Sequence, residues 1–526
     1  MIDDASRGVR ASMRNRREGI AAPMRSNLAF ALVAMLLTAR CGTSGQLVDQ
    51  APLDAPSTGD ASLDARDEDA MAERDASLDL AEARDASLDA SQDASLDGSD
   101  ARVMDVALDR ADLADARVDA TDAATPPTTG EVRYTADRTL SPITDDIAES
   151  LRAIVRRASG TSDHEFAKIG DSNTVSTNYL ACLTGTHVDL AGRAALQPAI
   201  DYFLAGTAGG TTPFDRVSLA ATVGWSVGSA IAGAPSPAAR ELAAIRPRQA
   251  TVMFGTNDIQ SRNIDRYAED MWTLTDAVIA AGAVPLITTI PARGDDAAAD
   301  AWVPRYNAVA RALAQSHRVP FIDTHRELET IPRRGLGPDN LHLNYLTQSG
   351  SPRACVFTAA GLQYGQNVRN LRVIETLARV LDVTSRGSAA PDRDAPRMVG
   401  QGTPAAPYEI TSLPFVDGRD TRRSSASSIG RYTGCASTAD ESGPEVWYRL
   451  VVTRATRLRA EVFVRGTTDV DVHLLDHTGS AAGCVQRNDK VVTADLSPGT
   501  WFIVVDSFVA SGVSRAGEFL FTALAE

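Results

Sequence analysis

Three short motifs near the middle of the chain carry residue types that could act together on a carbonyl. Residues 170–173 (GDSN) present Ser172, residues 255–258 (GTND) present Asn257 and Asp258, and residues 339–342 (DNLH) present Asp339 and His342. A serine hydroxyl is a poor nucleophile until a base takes its proton, and an imidazole within about 3 Å can be that base. A carboxylate three residues upstream on the same loop can orient the ring and stabilise its protonated form. The oxyanion formed on an attacked carbonyl then needs donors: the Ser172 N–H, the Asn257 amide and a backbone N–H near Gly224 in residues 219–230 (LAATVGWSVGSA). Each motif is common alone. A serine before a helix is usually a cap, and in a chain of 526 residues a Gly-Asp-Ser tripeptide arises by chance on the order of one time in ten. Their order and placement carry the weight.

That placement follows from the elements around them. Residues 165–170, 250–255, 283–290 and 319–323 are short apolar runs of buried-strand type, and residues 264–281, 300–317 and 359–381 carry apolar side chains at helical spacing. Strands alternating with helices predict a parallel sheet covered on both faces. In such sheets reactive groups collect at the carboxyl ends of strands. Ser172 follows the first strand, Asn257 follows a later one, and His342 sits in the loop before the last helix.

GDSN, the Gly224 block, GTND and DNLH together resemble, in order, the four blocks of the SGNH hydrolases, or GDSL esterases. The resemblance covers roughly residues 132–383. It implies a flavodoxin-like three-layer α/β/α fold and ester hydrolysis through an acyl-serine intermediate, with no cofactor. Ser172 matches the nucleophile, His342 the base and Asp339 its partner, while Gly224 and Asn257 join Ser172 in the oxyanion hole. Gly228 competes with Gly224 for the second block, and Asn173 stands where many members have leucine or isoleucine. Asp171 and Asp258 read as hydrogen-bonding residues of neighbouring loops, Arg293 as a solvated loop charge, and His164, His187, His317 and His325 as surface or satisfied core positions.

Five regions are expected. Residues 1–45 hold a basic and then apolar segment, with LAFALVAMLL at 28–37, of the secretory-signal kind; Met24 is an alternative start. The apolar run is too short to span a bilayer of about 30 Å. Cys41, just beyond it, resembles the acylated cysteine of bacterial lipoproteins, though Arg40 replaces the usual small residue. Residues 46–130 form an acidic linker that repeats DASLD from Asp60, Asp75, Asp85 and Asp93. Between positions 54 and 122 it carries 21 Asp and Glu against 6 Arg, so nearly all of the formal net charge of −16 lies there. Such a segment self-repels and stays extended, and its spacing lacks the glycine and ligand order of a calcium loop. The hydrolase domain spans 131–385, a Pro/Gly/Ala-rich linker 386–407, and a β-sandwich 408–526.

In that last region the helical period disappears, and residues 446–452, 458–464, 469–475, 491–496, 500–506 and 518–524 read as six strands between Gly, Pro and Asp turns. Residues 408–526 resemble the bacterial pre-peptidase C-terminal domain, a β-sandwich appended to secreted enzymes. Asp469, Asp471 and Asp506 could hint at a metal, but they read better as turn and edge-strand residues. Of five cysteines, Cys182 with Cys355 and Cys435 with Cys484 divide into two intradomain disulfides, which suits an exported protein and leaves Cys41 alone. With no Cys-x-x-Cys spacing and seven scattered histidines, no metal is expected.

The composite expectation is an exported serine esterase, secreted or envelope-anchored through an N-terminal lipid. Its expected substrate is an acyl ester, with acetylated polysaccharide as a candidate carrier and no nucleic-acid partner. The rival class is a surface-displayed binding or adhesion protein whose hydrolase domain is inactive or incidental.

Overall fold

The computed structural model describes residues 130–526; the expected signal, the acidic linker up to residue 129 and Cys41 lie outside them. A parallel sheet of four strands, β1 (Ser162–Gly170), β2 (Pro247–Met253), β3 (Val284–Thr288) and β4 (Phe321–Ile322), runs in that spatial order. All four are buried along most of their length, because helices cover both faces. Residues 220–222 flank the free edge of β1: Gly170 donates to the Ala220 carbonyl at 3.1 Å, and Thr222 donates to the Gly170 carbonyl at 3.3 Å. This parallel bridge puts the Gly224 segment beside the end of β1, in the place a fifth strand would take.

Helices Asp145–Val155, Gln197–Leu204 and Gly365–Thr384 pack together on one face. Helices Pro237–Ile245, Ile264–Ala280 and Val303–Ser316 cover the other, giving the three-layer arrangement. Local chemistry sets their starts. Asn263 accepts the Arg266 N–H at 3.0 Å, and Ser236 accepts the Ala239 N–H at 3.2 Å just before Pro237. In Asp145–Val155 the buried side chains are Ile147, Ala148, Leu151 and Ile154, one stripe of an amphipathic helix.

The carboxy-terminal region is a two-sheet sandwich. One sheet has four strands (Phe415–Asp420, Thr456–Val464, Val491–Leu496, Glu518–Ala525). The other has five (Tyr408–Ile410, Glu445–Val452, Val470–Leu475, Cys484–Asn488, Gly499–Ser507). Three of these strands carry no strand signature in the sequence: Tyr408–Ile410 is short, Phe415–Asp420 contains Asp-Gly, and Cys484–Asn488 is polar. Asp471 and Asp506 correct the turn and edge-strand reading. They face each other on two interior strands and are buried under the loop 421–444.

Residues 386–407 are docked along the molecule. Met398 is buried in the sandwich core, Arg133 donates its N–H to the Pro396 carbonyl at 2.8 Å, and Asp392 accepts the Ile143 N–H at 2.6 Å.

Candidate active site

The serine sits where β1 runs out. Gly170 ends the strand, Asp171 follows in extended conformation, and Ser172 opens a single helical turn, Ser172–Val175. Asp171 caps that turn by accepting the Asn173 N–H at 3.0 Å. Burial pushes the Asp171 carboxyl above its ordinary range, against the pull of the nearby Arg369 guanidinium.

His342 comes from a loop closed on itself, with Gly337 donating to the His342 carbonyl at 2.7 Å and Asn344 to the Gly335 carbonyl at 2.9 Å. Asn340 holds a left-handed conformation (φ +56°) inside this loop. Arg333 bonds the Gly337 carbonyl at 2.6 Å and the Asn340 side chain at 2.9 Å. The Asp339 carboxylate accepts the Leu341 and His342 backbone N–H groups at 3.1 and 3.0 Å through Oδ1. Its Oδ2 lies 2.6 Å from His342 Nδ1. With Nδ1–H donating there, Nε2 is left to accept the Ser172 hydroxyl, 2.8 Å away. Partial burial works to raise the Asp339 carboxyl, but the bonds from His342 and the two backbone groups outweigh it and hold it below the usual carboxylate range. This is an unbroken Ser–His–Asp chain, and it lies open to solvent: the His342 and Asp339 side chains are 41% and 51% exposed.

The other expected oxyanion donors, Gly224 and Asn257, lie on two further loops. Gly224 has φ +78° in an exposed loop, and open space surrounds the position of a Cβ. Conformation therefore demands the glycine there. Gly228 sits in the short helix Val227–Ile231, where a Cβ would press on Asp270 Oδ2 at 2.9 Å, so packing against the next helix explains it. Asn257 Nδ2 donates to the Trp225 carbonyl at 2.9 Å, fixing the amide beside Gly224. Among the described residues, neither the Ser172 nor the Gly224 N–H donates to a backbone carbonyl. The arrangement thus holds a serine hydroxyl, an imidazole with its orienting carboxylate and backbone and amide N–H groups, a set from which acyl transfer can be built.

Behind these groups stands a frame that motif reading saw only in part. Asp258 accepts the Val227 N–H through Oδ1 and the Gly255 N–H through Oδ2, both at 3.0 Å, and so ties the two oxyanion loops together. Burial pushes its carboxyl up to about 6, more than those backbone bonds offset. Arg293 corrects the expectation of a solvated loop charge. Only 2% of its side chain is exposed, it grips Asp295 through two nitrogens at 2.8 Å, and it donates to the Thr256 carbonyl at 2.6 Å. Asn173 accepts the Leu343 N–H at 3.3 Å, linking the serine turn to the histidine loop. Arg369, from the last helix, belongs to none of the motifs. It is buried, stacks on Tyr179 at 3.8 Å, and donates to the Asn173 carbonyl at 2.6 Å and Thr174 Oγ1 at 3.1 Å. Its only sequence signal is a guanidinium among the apolar positions of residues 368–374.

Cys182 and Cys355 are bonded, as are Cys435 and Cys484. The first bridge lies where Asp189 and Phe357 also pair, and Asn370 donates to the Asn178 and Ala354 carbonyls at 2.8 and 3.1 Å, so the loops after Ser172 and after His342 are sewn together. Groups of metal-capable side chains among the described residues belong to the sandwich; none includes Ser172, Asp339 or His342.

Residues 168–348 match the model of the GDSL-like lipase/acylhydrolase family. Among solved structures, an acetyl xylan esterase from Geobacillus stearothermophilus is 15% identical over 41% of this chain and 95% of its own, with a TM-score of 0.28. An acylhydrolase from Bacteroides fragilis, itself assigned without proof of activity, is 17% identical over 44% of this chain and 98% of its own, with a TM-score of 0.25. The pre-peptidase C-terminal domain of a Bacillus anthracis collagenase is similar to the sandwich, at 9% identity over 22% of this chain and 91% of its own, with a TM-score of 0.15. No curated protein matches the chain.

Proposed function

We infer that this chain, an ester-hydrolysing enzyme by its GDSL-like lipase/acylhydrolase domain, is an exported serine esterase that removes short acyl groups, acetyl above all, from large carbohydrate carriers. The observation that carries the chemistry is the hydrogen-bonded series Ser172–His342–Asp339. In the reaction Ser172 Oγ attacks the ester carbonyl as its proton passes to His342 Nε2. The oxyanion is met by the Ser172 and Gly224 N–H groups and the free N–H of Asn257. His342 then protonates the departing alkoxide, and a water deprotonated by the same ring hydrolyses the acyl-serine. Asp339 holds the ring and stabilises its charge throughout.

The openness of the site supports a bulky carrier. An imidazole and carboxylate this exposed leave room for a polymer on either side of the scissile bond. Each of the three loops also carries an exposed apolar side chain: Val175 three residues beyond Ser172, Val223 next to Gly224, and Tyr345 three residues beyond His342. Surfaces of that kind suit the faces of sugar rings and a short acyl group. Two disulfides and the apolar segment at 28–37 support export, with Cys41 as the candidate lipid-bearing residue.

The test is a panel of p-nitrophenyl esters from acetyl to octanoyl, with acetate release from acetylated xylan, comparing wild type with Ser172→Ala. Expected are a preference for acetyl, acetate from the polymer, and a loss of at least about 10³-fold in the variant. Rates in wild type no higher than in Ser172→Ala would remove the enzyme reading. Octanoyl preference with no polymer deacetylation would remove the carbohydrate reading alone. N-terminal sequencing of protein from the culture medium or envelope tests export, and an intact, unprocessed N-terminus counts against it.

A further inference from the structure

The sandwich buries an unbalanced set of charges under one loop. Residues 421–444 leave the four-stranded sheet and cross the outer face of the five-stranded one, where Ala426, Ile429 and Tyr432 pack over Trp447, Leu475 and Val504. Between this loop and the sheet lie the carboxylates of Glu441, Glu445, Asp471 and Asp506, all buried, and the Arg487 guanidinium reaches two of them.

Two of the four acids have neutral donors, although Asp506 Oδ1 is left without a partner. Glu445 accepts the Ser428 N–H at 2.7 Å as well as its hydroxyl, and Asp506 accepts the Tyr432 hydroxyl at 2.7 Å. The other two, Glu441 and Asp471, share Arg487, which donates to Glu441 Oε1 at 3.2 Å and to Asp471 Oδ2. His473 stands with them on the same strand face as Asp471, two residues along. Its ring is fully buried and stacks on Tyr432 at 3.6 Å, yet neither nitrogen has a hydrogen-bond partner; Glu441 Oε2 is orphaned as well.

A neutral imidazole always has one N–H to place, and leaving it unpaired in the interior forfeits its hydration with nothing in return. Arg487 sets one positive charge against the two adjacent buried carboxylates, which leaves an excess of negative charge beside the imidazole. One donor atom from each of Glu441, Asp471 and His473 lies within 4.8 Å of the others, and His473 Nε2 is 4.0 Å from Glu441 Oε1. That gap is too wide for a hydrogen bond. Two donors of a tetrahedral site with bonds of about 2.1 Å stand about 3.4 Å apart, so the three side chains need to close by small rotations to share one ion.

We propose that Glu441, Asp471 and His473 form a divalent transition-metal site, of the zinc class, that pins the loop 421–444 to the sheet beneath it. One imidazole nitrogen with two carboxylates is a donor set suited to zinc. Calcium takes six to eight oxygens, and an imidazole contributes none. Arg487 fits as the group that orients both carboxylates from outside, and the metal offsets their charge. The histidines are scattered in the sequence, but strand alternation and one loop crossing suffice to gather three ligands, and of these only Asp471 stood out in the sequence. The Cys435–Cys484 bridge fastens the same loop from its other side.

The test uses the full chain, stripped with a chelator and dialysed against zinc chloride, with bound metal measured by elemental analysis. Wild type is compared with His473→Gln and Glu441→Gln, and esterase rate reports correct folding. The difference between wild type and variant isolates this site from weak binding to the acidic repeats. Wild type should hold one zinc more than either variant. Zinc at about 100 times its dissociation constant should raise the unfolding midpoint of wild type by about 3 °C over the chelated protein, and of neither variant. Equal zinc in all three proteins overturns the proposal, as does tight calcium retention that ignores His473→Gln. If both variants misfold, the wild-type midpoint decides, and an unchanged midpoint between zinc and chelator overturns it.

Discussion

Asn257 spends one N–H on the Trp225 carbonyl and keeps the other for the proposed oxyanion. Truncation to alanine removes both the donor and the tether of the Gly224 loop. Asn257→Ala should therefore lower kcat by about 10²–10³-fold with KM little changed, a loss of about 3–4 kcal/mol of transition-state stabilisation. Steady-state kinetics on p-nitrophenyl acetate checks this, and a rise in KM at constant kcat would assign Asn257 to ground-state binding instead. Its neighbour Asp258 makes a prediction of a different kind. With its carboxyl pushed up to about 6 from an ordinary 3.8, the folded state holds a proton that the unfolded state has released. This group's contribution is thus fully present below about pH 4 and is lost as pH rises to 6. The change is roughly 3 kcal/mol, taking about 1.4 kcal/mol per pH unit. Asp258→Asn should flatten that part of the stability curve in urea titrations at pH 4 and pH 7. At pH 7 it should still cost activity, because an amide cannot accept both the Val227 and Gly255 N–H groups with its two ends. Equal slopes in the two proteins would mean the carboxyl is ionised throughout.

Elements decide how the three motifs meet, and here the sequence was legible to different degrees. β1, β2 and β3 and the helices Ile264–Ala280 and Val303–Ser316 announce themselves through unbroken apolar runs or a clear helical stripe. Motif order then puts Ser172, Asn257 and His342 at one end of the sheet. Asp145–Val155 was not singled out although its stripe is strong, and Gln197–Leu204 and Pro237–Ile245 are too short for period to separate them from loop. Arg369 could not be read because its partners are backbone and hydroxyl groups about 195 residues away, and no local pattern encodes a long-range bond to a carbonyl. Cysteine pairing was legible, since two cysteines fall in each globular region. That bridge carries its own prediction. Cys182 and Cys355 are 173 residues apart and join the loops following Ser172 and His342. Replacing both with serine should cost about 2–4 kcal/mol of stability, with unfolding of the serine and histidine loops ahead of the sheet. Hydrogen exchange followed by mass spectrometry would show it as faster exchange in residues 173–190 and 336–357. Uniform acceleration across the whole chain would instead mean that the bridge acts on global stability alone.

At the scale of the whole described molecule, the question is whether the hydrolase and the sandwich unfold separately, as a Pro/Gly-rich connection at 386–407 leads one to expect. Their packing argues otherwise. Val416, Phe463, Leu520 and Leu524 of the sandwich belong to the same apolar core as the hydrolase helices. Gln315, at the end of the helix Val303–Ser316, donates to the Val416 carbonyl at 3.3 Å, and its Oε1 accepts the Tyr134 N–H at 2.7 Å. Arg305 grips Glu461 through two nitrogens, at 3.1 and 2.6 Å, with both side chains largely buried. Closest of all is Gly418, where an added Cβ would stand 2.4 Å from the Ser316 Cβ and 3.4 Å from its Cα. A strand and a helix approach there over a residue with no side chain. Calorimetry of wild type should accordingly show one cooperative transition for both regions. Gly418→Ala should force strand and helix apart and break the shared core. The expected result is two resolved transitions, the hydrolase melting apart from the sandwich, with esterase activity at 25 °C retained because the Ser172 site makes no use of this contact. Two transitions already present in wild type, or a single one in Gly418→Ala at an unchanged midpoint, would show that the shared core contributes no coupling.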